Sequence, residues 1–469
     1  MELQDQQLEA VIRKVLEKTL TTATASEKAV ATGERAIFKD VDSAIKAADK
    51  AYHRFSQQPL KMRSAIIAAI REDLADQLSY MAEQAVKESK MGNVSDKILK
   101  NKAALENTPG VEDLTTQALT GDDGMVLFEY SPYGVIGSIT PSTNPTETII
   151  NNSISMLAAG NAVYFSPHPG AKNISLWLIK RIEAVAFKVS GIANLIVTIE
   201  EPSFDATRDM MAHPLIPLLA VTGGPGIVNM ALKSGKKVIG AGAGNPPCLV
   251  DETAEIVKAA EDIISGASLD NNLPCIAEKA VVVVASVADQ LIQQMQSFGA
   301  LHVTDPAQVK KLHEVCLAGE HGNKDFIGKD PSVILEAAGI PVPAKAPRLI
   351  TFECPNDDAF LFVEQLMPVL PITRVLDFEA GLKLALAVEQ NLHHTATMHS
   401  QNVSRLNKTA QRMQTSIFVK NGPSYAGIGV CGEGFNTFTI ATPTGEGTTS
   451  AKTFGRLRRC VLTNGFSIR

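Results

Sequence analysis

The 469-residue sequence contains no apolar run long enough to cross a bilayer, and its N-terminus lacks the apolar core of a secretory signal. Its net charge of −6 at pH 7 leaves no basic surplus of the kind that nucleic-acid-binding proteins carry. The six cysteines form no CxxC pair and do not have zinc-ligand spacing. These absences argue against a membrane span, a main role in nucleic-acid binding and a disulfide scaffold. They favour a reducing cytosol with free thiols.

Length and patterning predict two α/β domains in tandem. A chain of 469 residues is too long for one hydrophobic core. From Gly134 onwards, apolar strand patterns alternate with helical patterns, and a second alternating block runs from Pro247 to Val419. This order is typical of parallel sheets with crossover helices. The strands predicted in the first block are 134–140, 161–166, 194–199, 217–222 and 237–240. Those predicted in the second block are 248–250, 280–285, 349–353, 371–376, 395–399 and 416–419.

Cys275 lies between a helical pattern at 252–268 and an apolar strand pattern at 280–285. A connection of this kind can hold a side chain towards a cleft. Cys275 is therefore either a nucleophile, because a thiolate adds readily to an electrophilic carbon, or a small buried core thiol. A cysteine without context is more often a core thiol, but the sequence around Cys275 favours the nucleophile.

Four features, in a fixed order along the chain, carry a family resemblance. They are Asn144 after the first strand, the turn Thr222–Gly226 after the fourth, Cys275 and Glu364. Together they resemble the aldehyde dehydrogenase superfamily over essentially the whole chain after Gly33. The runs at 141–152, 165–172, 241–248 and 272–279 resemble its CoA-acylating branch, in particular the CoA-dependent propionaldehyde dehydrogenases of propanediol-utilisation microcompartments.

The resemblance implies an aldehyde dehydrogenase fold with a Rossmann-like NAD-binding domain, a second α/β catalytic domain and a β-arm for oligomerisation. The arm implies a homo-oligomer, either a dimer or a tetramer. The expected divisions are a targeting helix at 1–20, a linker at 21–35, the NAD-binding domain at 36–110 and 132–245, the catalytic domain at 246–450, and the arm at 111–131 and 451–469.

The resemblance also implies two catalytic residues. Cys275 is the expected nucleophile. Asn144 is the expected donor to the oxyanion that forms on the aldehyde, together with the backbone N–H of the nucleophile, since a preorganised neutral donor stabilises such a charge. Read without the resemblance, the polar turn around Asn144, with its prolines, is equally a rigid structural turn.

The expected NAD contacts follow from the same resemblance. The turn after the fourth strand can be purely structural, or its glycines and the following helix N-terminus can hold a phosphate. Ser166 and His168 stand where the superfamily commonly has a lysine motif, so NAD against NADP stays open, although no cation is evident for a 2′-phosphate. Glu364 is expected to hold the nicotinamide ribose. The full set is Thr140, Pro141, Ser142, Ser166, Pro167, His168, Thr222, Gly223, Gly224, Gly242, Glu364 and Pro368.

The stretch Gly240–Asn245 points to CoA as the acyl acceptor. Hydrolytic relatives have Glu-Leu-Gly-Gly here, and that glutamate activates water. Glycine and alanine cannot act as a base, so a thiol co-substrate such as CoA is favoured. The alternatives are a hydrolytic aldehyde dehydrogenase, an acetaldehyde enzyme of ethanolamine utilisation, or a shell-binding structural protein. The histidines at 393–399 run into a strand pattern, and no metal is expected.

Residues 1–20 have the pattern of an amphipathic helix, with Leu8, Ile12 and Val15 on its apolar face. The small-residue stretch 21–33 separates it from the body. The pattern fits either an ordinary first helix or a helix that docks in a groove of another protein. Its resemblance to targeting helices of microcompartment enzymes favours docking through residues 1–18 to a shell protein or another cargo, inside a microcompartment in the bacterial cytoplasm.

Overall fold

A computed structural model describes residues 35–319 and 321–468. The predicted targeting helix, and the linker up to residue 34, lie outside these residues. Within the described ranges, no helix combines the length and the apolar character that a bilayer span requires.

The strands of this part of the chain belong to two parallel sheets, one antiparallel sheet and two short ladders. In chain order they are β1 Ile37–Phe38, β2 Gln117–Gly121, β3 Gly124–Pro132, β4 Val135–Thr140, β5 Ala162–Pro167, β6 Ile196–Ile199, β7 Leu218–Thr222, β8 Lys237–Ala241, β9 Pro247–Val250, β10 Ala280–Val284, β11 Ala300–Val303, β12 Leu317–Ala318, β13 His321–Gly322, β14 Leu349–Glu353, β15 Val369–Val375, β16 Thr395–His399, β17 Ile417–Lys420, β18 Ile440–Ala441, β19 Gly447–Thr448 and β20 Gly455–Thr463.

Helices connect and cover these strands. In chain order the α-helices are α1 Val41–Phe55, α2 Leu60–Ala75, α3 Leu78–Ser89, α4 Val94–Asn107, α5 Pro145–Ala158, α6 Lys172–Ser190, α7 Phe204–Ala212, α8 Pro225–Leu232, α9 Ile256–Ser268, α10 Ala285–Ser297, α11 Pro306–Cys316, α12 Pro331–Ala337, α13 Phe378–Glu389 and α14 Val403–Met413.

The first parallel sheet has the strand order β1-β6-β5-β4-β7-β8. Neighbouring residues of β4 point to opposite faces, as strand geometry requires. Ile136 packs with Ile150 of α5 on one face, while Val135 packs with Ala48 of α1 on the other. The chain runs outward from β4 to β6 and then returns to β7, so the strand order reverses between β4 and β7. In open α/β sheets, ligands bind at such a reversal.

The second parallel sheet has the order β11-β14-β15-β10-β9-β16-β17, with β10 at its centre. The structure confirms the predicted α/β class with two parallel sheets. The sequence reading missed strand β11. It lies at the edge of the sheet after Gly299, and two of its residues, Leu301 and His302, are only partly buried, so its apolar pattern is weak.

The third sheet joins two distant segments of the chain. The C-terminal strand β20 runs antiparallel to β3, from Gly455 opposite Pro132 to Thr463 opposite Gly124, and β2 lies on the other side of β3. One edge of β20 has no partner strand within the described chain, and Leu457 and Val461 are exposed along it. The segments predicted as an arm thus come together, while their role in oligomerisation stays a prediction.

Candidate active site

The predicted dinucleotide contacts lie at the carboxyl edge of the first sheet. Residues 140–142, 166–168 and 222–224 span the carboxyl ends of β4, β5 and β7 and the first residues after them. In the sheet register, Thr140 pairs with Pro167, and Ile139 pairs with Val221. Because these strands are parallel and adjacent, three stretches that are distant in sequence meet where the strand order reverses.

The local chemistry of this edge fits a dinucleotide. The Oγ1 of Thr140 is buried without a hydrogen-bond partner among the described residues. Gly224 caps the N-terminus of α8, and a Cβ added there would meet no atom within 4 Å, so the backbone is open to a phosphate. Ser166 shares a hydrogen bond of 2.8 Å with Thr207, and His168 accepts the Gly170 N–H at 3.0 Å. Burial lowers the pKa of His168, so its imidazole is neutral at pH 7.

Cys275 lies on a loop with an unusual backbone. After α9, the residues Asp270, Asn271 and Asn272 all have positive φ, at 47°, 55° and 65°. Aspartate and asparagine adopt this left-handed region more readily than most residues. The Asn272 amide then donates to Ala267 O at 2.7 Å and to Glu278 O at 3.0 Å, which closes the loop around the cysteine.

A buried lysine, Lys279, holds the same loop through hydrogen bonds to its oxygen atoms. The Nζ of Lys279 donates to Asn272 O at 2.9 Å, to Asn272 Oδ1 at 2.5 Å and to Pro274 O at 3.2 Å. Burial lowers the pKa of Lys279 to about 8, and Glu364 opposes that shift. The three carbonyl acceptors match the three donors of an ammonium group. The sequence analysis did not assign a role to Lys279. The signal that could have indicated one is a charged residue directly before a fully apolar strand, because such a residue is close to the core and needs a buried partner.

The thiol of Cys275 is free and partly exposed. Burial and the nearby Glu364 carboxylate together raise its pKa to about 12, although Lys279 opposes the shift. The surroundings of Cys275 in the free protein therefore favour the thiol over the thiolate at neutral pH.

Asn144 occupies the N-cap position of α5 and is nearly buried. Its Oδ1 accepts a hydrogen bond from Lys100 Nζ at 2.6 Å, and its Nδ2 donates to Thr143 Oγ1 at 3.2 Å. Because the amide oxygen is occupied by a cation, the N–H2 group is the end available to a ligand.

The glycine stretch 240–245 packs against the backbone of the cysteine loop. A Cβ on Gly244 would lie 2.7 Å from Cys275 O and 2.8 Å from His394 Cγ. The backbone N–H of Gly244 donates to Glu364 Oε1 at 3.0 Å. A Cβ on Gly242 would lie 3.0 Å from Pro443 Cγ. No side chain of this stretch can therefore act as a base towards Cys275.

Glu364 and Pro368 lie before β15, opposite the glycine stretch. Burial raises the pKa of Glu364, while Lys279 and the Gly244 N–H oppose the shift. Pro368 is buried, and its carbonyl accepts the Ile350 N–H at 2.9 Å. Glu364 thus faces the cysteine loop, and Pro368 is the residue directly before β15.

His394 is a second residue that sequence reasoning did not assign. Burial and the positive charge of Lys279 together lower its pKa to about 4, so the imidazole is neutral at pH 7. Its Nδ1 is 2.9 Å from Thr395 Oγ1, and its buried Nε2 has no hydrogen-bond partner among the described residues. In the sequence, His394 stood out only as one of several histidines at 393–399 that could have suggested a metal site, and no metal was expected there. The part of the chain that the structure describes holds no group of three or more metal-ligating side chains.

Comparison with known proteins shows the family to which the chain belongs. The profile of the aldehyde dehydrogenase family matches residues 14–435. A propanal dehydrogenase (CoA-propanoylating) of Salmonella typhimurium is 66% identical over 463 residues, which is 99% of each chain. A Rhodopseudomonas palustris propionaldehyde dehydrogenase, solved with bound CoA and an acylated cysteine, is 48% identical with a TM-score of 0.91, covering 93% of this chain and 100% of that one.

A third similar protein comes from a microcompartment. A propionaldehyde dehydrogenase from the Clostridium phytofermentans fucose utilisation bacterial microcompartment is 46% identical with a TM-score of 0.90, covering 93% of this chain and 100% of that one. The chain therefore belongs to the aldehyde dehydrogenase family. Within it, the similarity is to the CoA-acylating branch, as the sequence resemblance predicted.

Proposed function

We propose that this protein is a CoA-acylating propanal dehydrogenase. The reaction is propanal + CoA + NAD⁺ → propanoyl-CoA + NADH + H⁺, where propanal is the systematic name of propionaldehyde. The observation that carries the proposal is a cysteine on a fixed loop, flanked by glycines where a hydrolytic enzyme needs a base. The names of the similar proteins support the choice of propanal and CoA.

The first step uses Cys275 and Asn144. The cysteine sulfur loses its proton and bonds to the carbonyl carbon of the aldehyde, whose oxygen becomes an oxyanion. The Asn144 N–H2 and the Cys275 backbone N–H donate to that oxygen. One such donor, in a site that excludes water, stabilises the transition state by about 3 kcal/mol. Lys279 favours the thiolate through its charge, because that charge lowers the pKa of Cys275.

The residues that would hold the cofactor are those at the carboxyl edge of the first sheet, together with Glu364. When bound there, a nicotinamide dinucleotide would supply the two-electron oxidant needed to convert the adduct on Cys275 to a thioester. We favour NAD over NADP because the strand end at 166–168 offers Ser166 and His168 but no cation for a 2′-phosphate.

CoA then releases the acyl group. Its thiol sulfur bonds to the acyl carbon, the bond from that carbon to Cys275 Sγ breaks, and the proton that the CoA thiol gives up restores the Cys275 thiol. Water would need a base at the position that Gly242 and Gly244 occupy, so hydrolysis is disfavoured. Because the acyl group resides on the enzyme between the two half-reactions, ping-pong kinetics are expected.

Omitting CoA should separate the two half-reactions. With propanal and NAD⁺ alone, we expect a burst of NADH of roughly one equivalent per active site, after which NADH formation almost stops. Adding CoA should restore steady turnover. NADH absorbance is followed across C2–C5 aldehydes, with and without CoA. Steady acid formation without CoA, at a rate near that with CoA, would support a hydrolytic enzyme, and no NADH under any condition would support a structural protein.

We also propose a homo-oligomer joined through the arm. The supporting observation is the free edge of β20 with its exposed apolar side chains Leu457 and Val461. An unpaired strand edge of this kind readily pairs with another chain. Light scattering on the purified enzyme measures the mass, and a monomer at micromolar concentration would contradict the proposal.

We further propose that residues 1–18 direct the enzyme into a bacterial microcompartment. Deleting these residues should leave solution activity unchanged and disperse the enzyme, and fusing them to a fluorescent protein should recruit that protein. The apolar face anchors such a helix in a groove, so Leu16→Glu should stop recruitment. Fluorescence microscopy gives the readout. A fusion that stays diffuse, or a deletion that unfolds the enzyme, would identify an ordinary first helix instead.

A further inference from the structure

Four charged side chains lie buried together below the candidate site. Lys97 and Lys100 come from α4, Glu147 comes from α5, and Asp270 comes from the cysteine loop. Each is at most 3% exposed. We call them the buried ion network. Charges are costly to bury unless they are paired, and here two cations balance two anions.

The network joins the two loops that carry the proposed catalytic residues. Lys100 Nζ lies 2.5 Å from Asp270 Oδ2, 3.0 Å from Glu147 Oε1 and 2.6 Å from Asn144 Oδ1. Lys97 Nζ contacts the same Asp270 oxygen at 2.9 Å. It donates to Thr143 O at 3.0 Å, whereas the hydrogen bonds of the Asn144 side chain among the described residues are to Lys100 and Thr143.

The contact with Lys100 determines which way the Asn144 amide points. Burial works against the charge of Lys100, but Asp270 and Glu147 outweigh it and raise the pKa of Lys100 above its usual value. An ammonium group has three donors and no acceptor, so only the amide oxygen of Asn144 can face it. The N–H2 is therefore directed away from Lys100, with one hydrogen on Thr143 Oγ1 and the other left for a ligand.

We propose that Lys100 is a positioning residue for the acylation step. It fixes the amide of Asn144 so that the N–H2 donates to the developing oxyanion. Its ion pair with Asp270 also holds Asn144 in a fixed position relative to the loop of Cys275. A cation on the amide oxygen also polarises the group and strengthens its N–H as a donor. The proposal rests on the role of Asn144 in the proposed function.

The test needs variants that do not leave a buried charge unpaired, since removing one partner of a buried pair is strongly destabilising. We therefore compare Lys100→Met/Glu147→Gln with Lys97→Met/Glu147→Gln. Both double variants lose one cation from α4 and the same anion from α5. Both also leave one lysine paired with Asp270. Only the first removes the contact with Asn144.

We expect Lys100→Met/Glu147→Gln to lower kcat and the rate of the NADH burst about 10²-fold, with the KM for NAD⁺ changed less than about threefold. Lys97→Met/Glu147→Gln should lose less than about tenfold. Asn144→Ala should lower kcat by about 10²–10³. Adding Asn144→Ala to the Lys100 double variant should cost little more, because both changes remove the same donor. Lys100→Arg, which keeps a cationic donor and the charge balance, should retain more activity than Lys100→Met/Glu147→Gln.

Equal losses in the two double variants would overturn the proposal, because they would show a purely structural network. Losses from Lys100 and Asn144 that multiply independently would also overturn it. If Asn144→Ala keeps the parent kcat, the oxyanion role in the proposed function fails, whatever Lys100 does. Thermal unfolding of every variant confirms that the comparison is made between folded proteins.

Discussion

Replacing Cys275 with alanine should abolish aldehyde oxidation and leave dinucleotide binding intact. The substitution removes the sulfur that bonds to the substrate, so a loss of at least about 10⁴-fold is expected. The loop should keep its shape, because Asn272 and Lys279 hold it through backbone carbonyls and the Asn272 amide, not through the cysteine side chain. NADH formation gives the activity, and calorimetric titration with NAD⁺ gives the binding.

Other cysteines provide the controls for this experiment. Cys431 and Cys460 are exposed, so changing each to serine should leave turnover close to that of the parent. Cys248 is fully buried in β9, and burial raises the pKa of its thiol, so it is not a competing nucleophile. Turnover by Cys275→Ala within about tenfold of the parent would contradict the assignment.

The sheets were readable from the sequence because their strands are buried on both faces. The prediction of a strand at 134–140 is matched by Val135–Thr140, and that at 349–353 is matched by Leu349–Glu353. Long apolar runs between helical patterns leave few other arrangements. The family resemblance then gave the order of the functional stretches, which patterning alone cannot give.

The buried charges could not be predicted, for a physical reason. Lys97 and Lys100 stand three residues apart on a helix, a spacing that usually marks a solvated face. Their burial depends on Asp270, which is distant in sequence and joins them only in the folded protein. Similarly, Lys279 and His394 acquire their low pKa values from surroundings that no local pattern records.

The fold brings the cysteine loop into contact with its neighbours through very small residues. Gly92 has a φ of +74°, and a Cβ there would lie 1.9 Å from Asp270 Oδ1. A Cβ on Gly328 would lie 2.9 Å from Leu273 Cδ2. Glycine at these positions lets two outside segments pack closely on the loop of Cys275. The glycine stretch 240–245 packs on the cysteine loop in the same way, through Gly244. From the family resemblance, this stretch had indicated only that the base of hydrolytic relatives is absent.

Gly244→Ala should therefore lower kcat at least about 10²-fold, the usual cost of displacing a reacting group by about 1 Å. The φ of Gly244 is not in the left-handed region, so the expected effect is steric. Its new Cβ would lie 2.7 Å from Cys275 O and 2.8 Å from His394 Cγ. The cysteine carbonyl cannot yield cheaply, because Asn272 and Lys279 fix its loop.

The matched control is Gly121→Ala, where an added Cβ meets no atom within 4 Å. That variant should keep the kcat of the parent. Steady-state kinetics give kcat, and thermal unfolding shows that both variants fold. If Gly244→Ala retains the parent kcat, the glycine stretch can move away from the nucleophile. Its glycines would then matter for the absence of a base and not for the close approach of the two backbones. A large loss in Gly244→Ala alone would show that the close approach of Gly244 to the cysteine loop sets the position of Cys275.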